Sequence, residues 1–475
     1  MKLVYEILQK LRSQEIRQLK DRFKHGSFEH EKVGTLFDLV TQYDQRDESF
    51  YSQELYGKEP DNTFRVTKSR LKRMMENVLL SDKSLTTYRS KAIVTRLQLR
   101  KKLLQAEILL GRGAYQAGKN LLQNIISTAK KSDLLEEAYQ AERLLYRNLN
   151  IRMGVKDYQK LTERLLSSNQ LLMTIEEARI LYYSVANLLQ NQTLKEEEKE
   201  NVRQTIDRLA DLAGQTRHPQ VQHLYYLSEV YYQQIDEADE QALDFCLQYL
   251  KLIQQNEHLY TPQREAVAYG QLAQVHLRLL RLEEAASYAG KILKMFSKVE
   301  INYLRSLELC FVISFFDENW PLATEYLQEA LSHPEFETAP HLAARWHYYE
   351  ACLLFRQKKY QPAYLKLNDT TALLADKQGM NLYIRILEIM LLFELGHMDL
   401  LETKIVNLNQ FVKRAQLQKQ IRPKSLMSIL GQWHRHHFDF TRIDLNKDSV
   451  DPDLQKGTTE ELIKLEDWMA GHGAS

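Results

Sequence analysis

A short pattern recurs along this chain at a nearly fixed interval. Leu282, Trp320, Tyr360 and Met398 each follow a brief polar turn, and three places later stand Ala285, Ala323, Ala363 and Leu401 respectively. Apolar stretches of helical spacing flank every turn, and an earlier copy places Tyr115 ahead of Gly118 in the same way. Taking the later residue as marker gives Gly118, Leu161, Val202, Ala242, Ala285, Ala323, Ala363 and Leu401, with Leu161 and Val202 placed by spacing as much as by pattern. Successive markers lie 43, 41, 40, 43, 38, 40 and 38 residues apart. A helix–turn–helix unit repeated every ~40 residues cannot bury its apolar face alone, so neighbouring units must stack. The spacing therefore predicts stacked helix pairs over residues 95–412.

Composition agrees with a helical chain. Glycine supplies 16 and proline 9 of the 475 residues, well under the usual ~7% and ~5%. Sandwiches and barrels need both residues at their turns, so neither is expected. With 44% hydrophobic and 27% charged residues, the chain reads as folded rather than disordered. Lys plus Arg (64) and Asp plus Glu (63) nearly cancel, so net charge points to neither nucleic acid nor membrane. Cys246, Cys310 and Cys352 are far apart and form no CxxC pair, against a disulfide framework or a zinc ribbon. Charge appears within the first six residues, and the apolar stretches near 309–316 and 384–393 are too short or too interrupted to span a bilayer. The expectation is a cytoplasmic protein with no membrane partner.

Two units carry the repeat most fully. One has Tyr269, Leu272, Ala273, Leu277, Leu282, Ala285, Ala289 and Ile292; the other has Ala351, Leu354, Phe355, Tyr360, Ala363 and Leu367. On these residues the chain resembles the tetratricopeptide-repeat family, although its period exceeds that family's 34 residues and the turn glycine is usually missing. The resemblance implies an all-α fold, a right-handed superhelical solenoid of about eight helix pairs whose concave face holds a protein or peptide partner. It also implies where that face lies on each first helix: one position after its small residue, three before it, and four or five after it. Around Ser228 this selects Tyr225, Glu229 and Tyr232; around Ala273, Gln274 and Arg278; around Ala351, Tyr348 and Arg356. None of these sets reproduces the family's Lys/Asn clamp for a terminal carboxylate. For the tyrosines the plainer alternative is packing between units. Arg278 and Arg356 are expected to be replaceable without harm to the core.

The ends depart from the repeat. Residues 1–90 read as a separate helical module, with helical spacing at Leu3 to Phe23 and Val33 to Val40, a short helix at Phe50 to Leu55, a turn at 57–62, and a long helix from Thr63. On that last helix Phe64, Leu71, Met74, Met75 and Val78 form the apolar stripe, with Arg65, Lys68, Lys72 and Arg73 beside or opposite it. A short helix, a turn and a basic helix loosely resemble a helix-turn-helix, which makes nucleic-acid contact by these four cations an alternative to a plain helical cap. The turn is longer than usual, and the module holds 17 Lys plus Arg against 14 Asp plus Glu. Residues 413–475 read as capping helices and a tail, with a last helix from Thr459 to Met469 offering Leu462, Ile463, Leu465, Trp468 and Met469 to cover the terminal repeat.

Three motifs approach chemistry and stop short. Gly113 to Lys119 matches a P-loop up to Asn120, which stands where a magnesium-binding hydroxyl belongs, and the segment before it is helical rather than a strand. Asp444 to Gln455 starts like a calcium loop but has Ser449 and Gln455 where glycine and a bidentate glutamate belong. His434, His436 and His437 are too close in sequence to converge on one metal from a helix. No nucleophile motif or paired acid–base set appears, so no cofactor, no metal and no catalysis are expected. The leading functional expectation is a protein–protein interaction scaffold or adaptor. A transcriptional regulator, with a DNA-binding first module and a sensing solenoid, is the alternative.

Overall fold

The computed structural model describes residues 1–475 apart from 25–27, 44–45, 82–90, 150–153, 190–195, 237, 335, 337–339, 374–379, 420, 444–459 and 474–475. The calcium-like stretch therefore lies outside the described residues. All regular structure among the described residues is helical. Packing divides the chain into two compact units, Met1–Leu172 and Met173–Ser475. This division falls not near residue 90 but inside one 35-residue helix, α9 (Val155–Leu189). Neither glycine nor proline occurs in that stretch, so nothing in it stops a helix. The second helix of one expected pair runs on into the first helix of the next.

The first unit opens with α1 (Lys2–Leu8), α2 (Ser13–Lys24), α3 (Phe28–Gln42), α4 (Glu48–Tyr56) and α5 (Asn62–Val78). They enclose a core of their own that includes Leu19, Leu36, Phe37, Phe64, Leu71, Met75 and Val78. Asp47 and Asp61 cap α4 and α5, accepting hydrogen bonds from the amides of Phe50 and Phe64, and Gly57 ends α4 in the left-handed region at φ 67°. A second core joins α6 (Lys91–Gly111), α7 (Tyr115–Lys131) and α8 (Leu135–Leu149) with the start of α9, through Leu99, Ala106, Leu122, Ile125, Ala141 and Leu161. The P-loop-like stretch is the α6–α7 corner. Gly113 turns there at φ 81°, and a Cβ on Gly118 would come within 2.7 Å of Leu110. Both glycines are thus accounted for by chain geometry.

The second unit continues with α10 (Glu196–Thr216) and then five helix pairs. These are α11 (Pro219–Ile235) with α12 (Asp239–Gln255), α13 (Pro262–Arg278) with α14 (Leu282–Leu293), α15 (Ile301–Phe316) with α16 (Trp320–Leu331), α17 (Pro340–Arg356) with α18 (Tyr360–Leu367), and α19 (Asn381–Glu394) with α20 (Met398–Arg414). Each helix packs on the next in sequence. The corners inside the pairs share one construction. The amides of Arg281, Asn319, Lys359 and His397 each bond the carbonyl five residues back, and the residue before each has positive φ: Leu280 53°, Glu318 54°, Lys358 58°, Gly396 74°. This is a Schellman ending. Only Gly396 among these four is the residue type such a φ favours; a side chain there costs about 1–2 kcal/mol.

The repeat markers sit where the corner places them. Gly118, Ala242, Ala285, Ala323, Ala363 and Leu401 each stand three residues after the first residue of their helix, all buried. Leu161 and Val202 are buried too but stand six residues in, so their corners are offset. Beyond α20 come α21 (Ile421–Arg435) and, after a non-helical run at Glu460 to Lys464, α22 (Leu465–Gly473). The last helix thus starts at Leu465 rather than Thr459, with Glu466 and Asp467 in its first turn where the helix dipole favours them. Leu426, Ile429, Leu430 and Trp433 of α21 and Leu462, Leu465 and Met469 belong to the same core as α13–α20.

Candidate peptide-binding face

The first helix of a pair has a constant register. Val230, Ala273, Phe311, Ala351 and Ile389 each stand five residues before the end of α11, α13, α15, α17 and α19, and all are fully buried. Ala273 and Ala351 are thus the reference residues that the pattern implied, but in α11 the reference is Val230, not Ser228. The sequence register there was two residues off. Ser228 is buried as well and donates its hydroxyl to the Leu224 carbonyl, which let it pass for a small packing residue.

That shift explains what became of the first three selected side chains. Tyr225 and Tyr232 pack on Val185, Val202 and Ile206 of the preceding helices. Glu229 is 3% exposed and accepts bonds from Arg203 Nη1 and Nη2 at 3.1 and 2.9 Å and from Gln233 Nε2 at 3.0 Å. The Arg203 guanidinium also lies 5.3 Å from the Tyr232 ring centre, and burial pushes the Tyr225 phenol up to about 12. The three residues form an inter-helix packing cluster around Arg203.

The remaining four divide by depth. Gln274 and Arg356 are exposed, the latter with its guanidinium 6.0 Å from the Phe315 ring centre. Arg278 instead donates from Nε to Asp239 Oδ1 at 2.5 Å, and the Asp239 side chain is 3% exposed. The expectation that Arg278 could be replaced without harm to the core is therefore corrected: a buried carboxylate depends on it. Tyr348 is 2% exposed, and its hydroxyl donates to the backbone oxygen of Glu460 at 2.8 Å. It faces the chain's own C-terminal segment.

That segment crosses three alternate helices, α17, α19 and α21. Glu460 meets Tyr348 of α17; Trp468 Nε1 donates to Glu394 Oε1 of α19 at 2.7 Å; and His472 Nε2 lies 2.8 Å from the same oxygen. Arg422, near the start of α21, donates from Nε to Glu461 Oε2 at 2.8 Å and from Nη2 to Glu466 Oε2 at 2.9 Å, with a further close contact to each carboxylate. Beside Tyr348, Arg345 pairs with Glu308 at 2.6 Å, and the Tyr349 hydroxyl donates to the same carboxylate at 2.6 Å. Burial pushes the Tyr348 and Tyr349 phenols well above their ordinary range. Tyr348 stands three residues before its reference residue and Glu394 five after its own. Those are two of the register positions that the sequence pattern marked for binding. Glu394 and Arg422 were not selected, because only the three-dimensional path of residues 460–473 brings them to one ligand.

In the first module Lys68 pairs with Glu48 at 2.8 Å and Lys72 with Glu76 at 3.3 Å, while Arg65 and Arg73 are exposed. The helix that carries them, α5, packs chiefly on α1, α2 and α3. His434, His436 and His437 are exposed, at and just beyond the end of α21. All three cysteines are buried, and burial pushes each thiol up to about 12.

No family model and no curated protein matches the chain. Among solved structures it is similar to BtubC (BKLC) from P. vanneervenii, at 15% identity and TM-score 0.38, over 48% of this chain and 93% of that one. It is also similar to a signal transduction ATPase with numerous domains that carries a tetratricopeptide repeat sensor, from Pyrococcus horikoshii, at 14% identity and TM-score 0.41, over 88% of this chain and 66% of that one. Likenesses of this size carry no argument about the fold, which rests on the packing described above.

Proposed function

We propose that this chain is a non-catalytic scaffold or adaptor of the tetratricopeptide-repeat kind, which takes a protein or peptide partner on the face built by its first helices. One observation supports the reading above the rest: a peptide segment already lies across two first helices, α17 and α19, contacting register positions that the repeat pattern marks for binding, and is held further by Arg422 of α21. A cytoplasmic setting belongs to the same proposal; among the described residues no helix is long and apolar enough to cross a membrane. The nucleic-acid alternative has less support, since Lys68 and Lys72 already have carboxylate partners. The test is affinity purification of the tagged chain from its host beside a Gln274→Glu, Arg356→Glu variant. Both residues are exposed, so the variant should melt as the parent does and recover less partner. Unchanged recovery would refute the assignment of the face. Binding to duplex DNA with a steep negative salt slope, abolished in Arg65→Ala, Arg73→Ala, would favour the regulator instead.

A further inference from the structure

We propose that the surface formed by Tyr348, Glu394 and Arg422 is an exchangeable ligand site, held in this structure by the chain's own residues 460–473, and that it fits a partner segment of the same chemistry. The inference rests on the reading of the first-helix face as a protein-binding surface and names the partner that one end of it takes.

Two features distinguish this contact from a plain end cap. A cap on the last pair would touch the last helices only, whereas this segment reaches back to Tyr348 on α17 while also holding Glu394 on α19 and Arg422 on α21. Its polar contacts are directional and specific to side-chain type. The Arg422 fork takes two carboxylates, Glu461 and Glu466, and Glu394 takes the indole N–H of Trp468 and the imidazole of His472. Paired charge-assisted bonds of this kind fix register as well as adding affinity. Between the two carboxylates Leu462, Ile463 and Leu465 are buried, and Met469 follows on the same core.

The ligand is thereby specified by its chemistry. It is an acidic, amphipathic segment with two carboxylates five residues apart, aliphatic side chains between them, and an aromatic N–H donor two residues after the second. A helix such as the nine-residue α22 is marginal by itself, so such a segment orders as it binds. The chain's own copy is covalently attached and so competes intramolecularly, and a free competitor at micromolar concentration is largely excluded. The tether therefore acts as a built-in competitor.

The test uses the full chain with a site-specific protease sequence placed within residues 446–455, and a fluorescent peptide of residues 458–475 as probe. After cleavage the peptide should exchange into the folded protein, read as saturable anisotropy, and the uncleaved chain should bind it at least a hundredfold more weakly. A peptide carrying Glu461→Lys and Glu466→Lys should fail to exchange. Loss of helical signal beyond the nine residues of α22 itself on releasing the segment would show a structural cap and overturn the proposal. Equal binding of the two peptides would also overturn it. Either outcome removes this segment as support for the face, whose own test remains the separate one at Gln274 and Arg356.

Discussion

Replacing Arg422 by alanine should weaken the second unit by about 3 kcal/mol. The Arg422 side chain is 14% exposed and those of Glu461 and Glu466 are 9% and 17%. Burial raises the Glu461 carboxyl above its ordinary range; it also pushes Glu466 up, but bonds from Arg422 more than reverse that and leave Glu466 below. Arg422 itself is held above its usual value by the same two partners, against the opposing effect of burial. Removing one member of a buried ion pair typically costs about 3–5 kcal/mol, because the partner's charge stays buried without compensation. The partial exposure of this triad places the expectation at the lower end. All four tryptophans, Trp320, Trp346, Trp433 and Trp468, lie in the second unit, so urea unfolding followed by tryptophan fluorescence reports that unit. Adding Glu461→Gln and Glu466→Gln to Arg422→Ala should recover at least ~1 kcal/mol, since two uncompensated charges are then gone. A loss under ~0.5 kcal/mol for Arg422→Ala, the size of an exposed surface pair, would refute the placement of the segment.

Lys358→Gly and Glu318→Gly should each stabilise by about 0.5–1 kcal/mol, because the relief of a left-handed side chain exceeds the entropy cost of glycine; a loss in either would contradict the corner geometry. Burial pushes the His223 imidazole down to about 3, with the nearby Arg264 charge adding to the effect. The unfolded chain takes up that proton near pH 6.5 and the folded chain does not, so the stability tied to neutral His223 is complete above pH 6.5 and is lost as pH falls toward 3. On the order of 1 kcal/mol should be gone at pH 5.5, and His223→Gln should remove that part of the slope in urea midpoints measured against pH. Arg278→Ala should cost about 2 kcal/mol through Asp239 while Arg356→Ala stays within ~0.5 kcal/mol; equal effects on melting would refute the distinction between them.

The repeat was readable because its markers report one physical constraint, the close crossing just after each corner. Gly118, Ala242, Ala285, Ala323, Ala363 and Leu401 occupy the same helical position and are all buried. Where the constraint weakens, the reading drifts. Leu161 and Val202 flank a stretch with no helix-stopping residue, and the expected corner between their units is absent from α9. Ser228 has the size of a reference residue, yet Val230 holds that position, and the error moved three site residues into the packing around Arg203. The apolar residues of the last helix were visible in sequence as something that docks. Which face receives them was not, because it depends on Tyr348, Glu394 and Arg422 converging from helices far apart in the chain.

The claim that first helices present the binding face is tested most directly by site-specific photo-cross-linking in the native host. A cross-linker goes at Gln274 or Arg356 on first helices, and at Leu365 or Leu400, which are exposed on the second helices α18 and α20. The account predicts that a partner protein is trapped from 274 and 356 and not from 365 and 400. Trapping from the second-helix positions alone would contradict it.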